Sequence, residues 1–410
     1  MKQPERYLAG LDLGSSKICA LLCEVDAGGR LHLRGTGVAE SKGFRKGSLV
    51  SLQAAVSAIR QAVEAAEAAA GVPLESALIG VAGSHIKGIN SRGGITLGAR
   101  PREVTLNDVR RAIAAARAVT LPAEREVLHV LPQEFFLDQQ NGLRDPVGML
   151  GTKLEVNVHI VTADGLATQN LVTAVNRAGV LVLDTVLEPL ASAETCLTAD
   201  ERELGVLLVD MGGGTTEWMV YEHHAPRLTG VVPVGGEHFT HDIAVGLRTP
   251  LWEAERLKRA YGCAGLRWLR QDTLVDIAGS GGRVASRRAL CEIIEARASE
   301  LFALIRDDLL RSGTDRQLGA GVVLTGGGAQ LDSLAELAAE ILQLPARLGK
   351  PTGVLGLPAT PGAIHTLKSP ACATAVGLVL HGNRIRALRQ RQAGVLDRLK
   401  SFWQRKGWAA

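Results

Sequence analysis

The chain predicts an α/β protein built from two similar halves. Three observations carry this expectation. Apolar, strand-like runs alternate with amphipathic helical stretches over most of the sequence, the pattern of helices packed on largely parallel sheets. The opening unit, YLAGLDLGSSKICALL, returns in its logic as GVLLVDMGGGTTEWMVY: strand, aspartate, glycine turn, strand. Finally, glycine-rich turns stand at strand ends, where successive backbone N–H groups form a nest for an anion.

Composition narrows the class. At 410 residues the chain exceeds a single core, so about two to four structural units are expected. A hydrophobic share of 46% with 21% charged residues is ordinary for a soluble globular protein. No apolar run approaches the ~20 residues of a membrane-spanning helix. The opening MKQPERYLAG is interrupted by charges, unlike a signal peptide, and a cytosolic protein is expected. The six cysteines form no CxxC or zinc spacing and read as reduced core residues.

Charge is unevenly spread. From Arg384 to the end, eight basic residues (Arg384, Arg386, Arg389, Arg391, Arg398, Lys400, Arg405, Lys406) face one acid, Asp397. That segment carries +7 of a net +4, so the preceding body is at −3. A mildly acidic body argues against a nucleic-acid-binding core, and the tail suits an anionic surface.

In chain order, YLAGLDLG and KICALLCEV form a hairpin turning on Gly14, Ser15 and Ser16. An Ala-rich helix over 51–70 stops at Gly71 and Pro73. The stretch 84–160 differs in texture: a Gly-punctuated strand pair, a helix near 107–118, the run REVLHVLPQEFFLD and the alternating strand KLEVNVHIV. A helix over 164–178 and the strand VLVLDTVLEP resume the first pattern, and polar TADERE reads as a linker. After the repeated unit come VVPVGGEHFT, a helix over 251–261, a long helix over 286–310, the strand and loop GVVLTGGGAQ opening a helix, and a last helix over 373–380.

Two loops carry the phosphate chemistry. In the first, Asp12 ends a strand before Gly14, Ser15, Ser16 and Lys17; in the second, Asp210 precedes Gly212, Gly213, Gly214, Thr215 and Thr216. Small residues let the backbone approach phosphate oxygens. Asp12 and Asp210, at strand ends, suit Mg²⁺ held through water, because magnesium keeps much of its hydration shell. A third loop, Gly326, Gly327, Gly328 and Ala329, points N–H groups and a helix start at the nucleotide. Each turn alone reads first as an ordinary hairpin or loop; three in this order are harder to meet by chance. His238 and His241 lack a ligand framework and read as a helix start.

At the tail, Val395, Leu396, Leu399, Phe402 and Trp403 fall within an arc of about 120° at about 100° per residue. Lys400, Arg405 and Lys406 surround them, and residues 384–393 form a polar, basic tether. An in-plane membrane anchor is the expectation, with a helix packed on the body as the alternative. A single anchor binds reversibly, so many carried on one polymer would gain by avidity.

The three loops resemble phosphate 1, phosphate 2 and the adenosine motif of the actin, DnaK-type chaperone and sugar kinase superfamily. VLEPLASAETCL (Glu188, Pro189, Ala191, Ala193) and SPACATAVGLVL (Ala373, Gly377) resemble its connecting segments. EAERLKRAYG is similar to the chaperones' adenosine-contacting helix, which implies Glu255 and Lys258 at ribose and base. Within that superfamily VLHVLPQEFFLD, DPVGMLG, DERELGVLLVDMGGGT and VVLTGGGAQ resemble the bacterial cell-division FtsA family over nearly the whole chain. One departure is Glu217, where many relatives have Asp.

The resemblance implies an actin-like, two-lobed fold. Residues 1–83 with 161–200 form the first lobe, and 84–160 the FtsA-specific insert. Residues 201–232 with 311–383 form the second lobe, 233–310 a small subdomain, 384–393 the linker and 394–410 the membrane helix. It implies ATP and Mg²⁺ as ligands, with Glu188 orienting a water for slow hydrolysis at most. It further implies a polymerising scaffold, peripheral on the cytoplasmic side of the inner membrane at the septum. Its partners would be further copies of itself, anionic lipids, other division proteins and the C-terminal peptide of the tubulin-like protein FtsZ. In the FtsA family the small subdomain receives that peptide, and Arg297 and Glu300 match contact positions. Over the long helix and the strand before it, about 281–305, Leu290, Ile293, Ile294, Leu301 and Ile305 read as inward, with Arg283, Arg287, Arg297 and Glu300 left to solvent. A small-molecule kinase of the same fold is the alternative, and a pilus-assembly actin homologue a third.

Overall fold

The computed structural model describes residues 6–269, 271–278, 283–314, 318–356 and 367–388. The two-halves reading holds in the strand pairing itself. In the first lobe Tyr7–Leu13 pairs antiparallel with Lys17–Val25 and parallel with Ser76–Val81. In the second, Val206–Met211 pairs antiparallel with Thr216–Glu222 and parallel with Val322–Thr325. Asp12 and Asp210 therefore occupy matching positions at matching strand ends.

The sheets are mixed rather than largely parallel, because each opening hairpin and the strand after it run antiparallel. The first lobe's sheet places Leu181–Leu187, Ser76–Val81, Tyr7–Leu13, Lys17–Val25, Leu31–Glu40 and Val354–Leu355 side by side. The second lobe's runs Ala225–Val232, Thr216–Glu222, Val206–Met211, Val322–Thr325, Ala346–Leu348. The helix Leu52–Ala70 buries Ala55, Ile59, Ala62 and Ala66 on the first sheet and ends at Gly71 in the left-handed conformation.

Between the lobes lie two helices, Glu188–Cys196 and residues 373–388. They cross where Gly377 meets Ala191: a Cβ at Gly377 would overlap the Ala191 carbonyl, so this crossing requires glycine. The last helix runs at least two turns beyond the expected 380, and residues 384–388, expected as tether, belong to it. Arg384 there donates to Glu194 at 2.8 Å, which gives its charge a half-buried partner. The expected membrane residues Val395, Leu396, Leu399, Lys400, Phe402, Trp403, Arg405 and Lys406 lie outside the described residues.

The insert is its own small α/β unit. Its sheet orders Gln140–Leu143, Arg125–Leu137, Lys153–Asp164 and Lys87–Thr96, covered by the helix Leu106–Arg117. Thr105 and Asp108 cap that helix reciprocally. The expected Gly-punctuated strand pair is one ten-residue strand, whose partner is the distant Lys153–Asp164. TADERE is not a linker: Thr198 and Glu201 form a capping box that starts the helix Ala199–Leu204.

The small subdomain holds the helices Gly236–Gly246, Leu251–Tyr261 and Arg287–Ser312. Leu290, Ile294, Leu301 and Ile305 of the last are buried, with Ile293 partly so. All six cysteines are free and buried.

Candidate nucleotide site

The two phosphate loops face each other across the cleft between the lobes. Leu13, Gly14 and Ser15 of the first and Gly212, Gly213, Gly214 and Thr215 of the second line one narrow cavity of about 60 Å³, together with Gly80, His85, Glu188 and Glu217. The loops touch at their tips: a Cβ at Gly213 would overlap Ser16 Oγ. Ser16 Oγ also donates to Glu237 Oε1 at 3.0 Å, and Ser15 Oγ accepts the N–H of Gly47 at 3.0 Å.

Four carboxylates gather behind the loops. Asp12 and Asp210 end their strands, Glu188 opens the connecting helix, and Glu217 stands opposite Asp210 in the ladder. Asp12, Asp210 and Glu217 are 8%, 5% and 2% exposed. Burial lifts the Asp12 carboxyl to about 7, against the pull of Lys17 and with Asp210 adding to the rise. Burial likewise lifts Glu217 to about 7, opposed by the hydrogen bond from Thr215. Glu188 is raised well above the ordinary range, first by burial and then by Asp12, Glu217 and Asp210. Asp210 is raised by burial, while Ser192 and Thr374 hold its charged form. Too little positive charge stands here to match these acids.

Ser192 and Thr374 were not expected at the site. Ser192 Oγ donates to Asp210 Oδ2 at 2.5 Å, and Thr374 Oγ1 donates to the same oxygen at 3.3 Å. Both come from the interlobe helices, within the two connecting segments; nothing local in their sequence names them as aspartate partners.

Lys17 turns away from the loops. Its Nζ donates to the Ala371 carbonyl at 2.5 Å, near Cys372 Sγ at 3.9 Å. It ties the first hairpin to the second connecting segment. That segment also accepts the N–H of Gly326 at the Pro370 carbonyl, 3.2 Å. Gly326 has φ +85° and lies so close to Asp210 that a Cβ would stand 2.5 Å from its Oδ1. Gly328 and Ala329 continue into a single 3₁₀ turn, Gly328–Gln330, and the α-helix begins only at Leu334. The expected helix start at this loop is thus corrected: Leu331 to Ser333 intervene, with Ser333 in the left-handed region.

Glu255 and Lys258 meet the second phosphate loop through one relay. Lys258 Nζ contacts Glu255 Oε2 at 2.5 Å and donates to the Gly236 carbonyl and Thr240 Oγ1, each at 2.8 Å. Gly236 N–H and Glu237 N–H donate to the Gly212 and Gly213 carbonyls at 2.9 and 2.8 Å. His238 takes the N–H of Gly235 on its Nδ1, as a helix-start residue does.

The expected partner residues are held by the body. Arg297 donates to both Asp242 oxygens, at 2.6 and 3.0 Å, and pairs with Glu300. Arg287 caps the helix Leu251–Tyr261 at the Tyr261 carbonyl, 2.9 Å. Arg283 reaches the Leu247 carbonyl at 3.0 Å and the Arg248 carbonyl at 3.3 Å. Among the described residues no group of three His, Cys, Asp or Glu is placed to ligate a metal together. None of their helices is long and apolar enough to cross a membrane.

Comparison with known proteins gives this geometry a family. The model of the family described as cell division protein FtsA matches residues 207–377, and that of the SHS2 domain inserted in FtsA matches 83–162. The cell division protein FtsA of Pseudomonas aeruginosa is 42% identical over 383 residues, 93% of this chain and 90% of that protein. That of Escherichia coli K12 is 36% identical, covering 92% and 90%. Among solved structures, a chain of the PilM–PilN type IV pilus biogenesis complex superposes with a TM-score of 0.66 at 20% identity, covering 93% and 99%. MreB5 of Spiroplasma citri bound to ADP gives 0.57 at 14%, covering 95% and 99%. These likenesses support the actin-like fold, and the kinase alternative finds no support among them.

Proposed function

The chain belongs to the FtsA family of cell division proteins, and from that premise we propose that it is an ATP-dependent membrane scaffold. It holds ATP with Mg²⁺ between its lobes, associates with further copies of itself as actin does, and tethers FtsZ filaments to the cytoplasmic face of the inner membrane at the septum. Anionic lipids and other division proteins are its further partners.

The observation that carries the nucleotide part is the meeting of Gly14–Ser16 and Gly212–Thr215 over Asp12, Asp210, Glu188 and Glu217. Buried acids with raised pKa values fit a hydrated dication, which would neutralise them without direct ligation by three side chains. Asp12 and Asp210 would hold it through water, and it would offset charge on the phosphates. Backbone N–H groups of both loops bind the phosphates, and Glu255 and Lys258 meet the nucleoside. Glu188 orients a water, but Lys17, held at the Ala371 carbonyl, is not free to meet a leaving phosphate. Turnover is therefore slow, and ATP acts as a structural ligand.

Membrane attachment rests on the apolar arc of Val395 to Trp403 among basic residues. Flotation with anionic liposomes tests the reading. FtsZ filaments should rise with the vesicles when the full chain and ATP are present, and stay down with a chain lacking residues 394–410. A truncated chain that still lifts FtsZ would overturn the tether.

A further inference from the structure

Glu217 reaches beyond the acids it stands among. Its Oε1 accepts the backbone N–H of Gly83 at 3.1 Å, across the interlobe cleft. Gly83 lies where the chain leaves the strand Ser76–Val81 to enter the insert. The methylene that distinguishes Glu217 from the aspartate of many relatives extends its reach toward this amide.

The insert has a second tie to the same lobe. His159, 1% exposed, bridges Thr229 Oγ1 at 3.0 Å and Asn90 Oδ1 at 2.7 Å. Asn90 donates to the Arg227 carbonyl at 3.1 Å and Gln133 to the Pro226 carbonyl at 3.0 Å. The strand carrying these acceptors, Ala225–Val232, leads directly into Gly235 and Gly236. Gly236 is bonded to the second phosphate loop at Gly212. The insert and that loop are therefore joined by one strand and one carboxylate.

We propose that Glu217 is a strap that couples nucleotide loading to the position of the insert. This rests on the ATP reading above and extends it to regulation. The Glu217 carboxylate alternates between the Gly83 amide and the water shell of the nucleotide-bound cation. Glu217 stands opposite Asp210 in the ladder and both are buried, so attraction to a dication held there would compete with the amide for the same group. Once Gly83 loses its acceptor, the entry into the insert opens locally, while Arg125 on the His85 carbonyl, His129 on the Leu187 amide and the Ala225–Val232 strand keep the rest of the insert in place.

Hydrogen–deuterium exchange of the full chain, read in peptides spanning residues 82–96, tests this, with fluorescent-ATP binding measured in parallel. In the wild type, Mg²⁺-ATP should speed exchange at the insert base about tenfold, the loss of one charge-assisted bond. Glu217→Gln keeps an acceptor for Gly83 but no charge for the cation, so protection should persist with nucleotide bound. Glu217→Asp falls short of Gly83, so exchange should be fast before nucleotide and change little after it. Unchanged wild-type exchange with ATP demonstrably bound would overturn the strap alone. A wild-type response in the Asp variant would do the same. Absence of binding to the wild type would remove the ATP reading and the strap together.

Discussion

At the residue scale, the site is a set of acids kept partly protonated by burial. Asp12 and Glu217 titrate at about 7 when folded, against roughly 4 when unfolded. A carboxyl raised on folding stabilises the fold below its unfolded pKa, and that contribution disappears as pH rises through the folded value. The nucleotide-free chain should thus melt higher at pH 6 than at pH 8, and Glu217→Gln should flatten the difference. A thermal scan showing higher stability at pH 8 would contradict this electrostatic picture. Arg297 belongs to the same scale. Because it is paired with Asp242 and Glu300, the FtsZ peptide would have to meet the edge of an existing network. Arg297→Glu should cut peptide affinity at least about tenfold, or about 1.4 kcal/mol. Arg297→Gln controls for the repulsion that the first variant sets up against Asp242. Fluorescence anisotropy at low salt reads both, and wild-type affinity in each would remove Arg297 from the surface.

At the scale of elements, local chemistry explains which expectations held. The hairpins on Gly14–Ser16 and Gly212–Thr215 were legible because an apolar run, an aspartate and a glycine turn lie within a dozen residues of one another. The long helix was legible from its inward leucines and isoleucines. TADERE is not the linker its polarity suggests, because Thr198 and Glu201 cap each other and start a helix. Thr198→Ala should lower stability by about 1 kcal/mol, the value of a lost cap, as read by denaturant titration. Residues 384–388 failed for a different reason. Their basic side chains suggested a tether, but Arg384 is neutralised by Glu194, far away in sequence. In the tail, Trp403→Glu places a charge in the apolar arc. It should release the protein from anionic vesicles nearly as fully as deletion does, and undiminished flotation would move the anchor elsewhere.

At the scale of the whole molecule, two duplicated lobes place equivalent Asp–Gly hairpins face to face, and the helices from the connecting segments fix their separation at Gly377 and Ala191. The duplication was legible; the contacts that make it a site were not. Ser192 and Thr374 on Asp210, Lys17 on Ala371 and Gly83 on Glu217 each join residues distant in sequence, and single-chain patterns carry no record of such pairs. All of them serve one central claim, that the cleft between the hairpins binds Mg²⁺-ATP. Calorimetric titration of ATP with Mg²⁺ into the wild type and Gly213→Asp tests it most directly. The wild type should show one site, and the variant none, because the new carboxylate and side chain would stand where the phosphates approach and against Ser16. A folded Gly213→Asp protein that binds ATP as the wild type does would contradict the account.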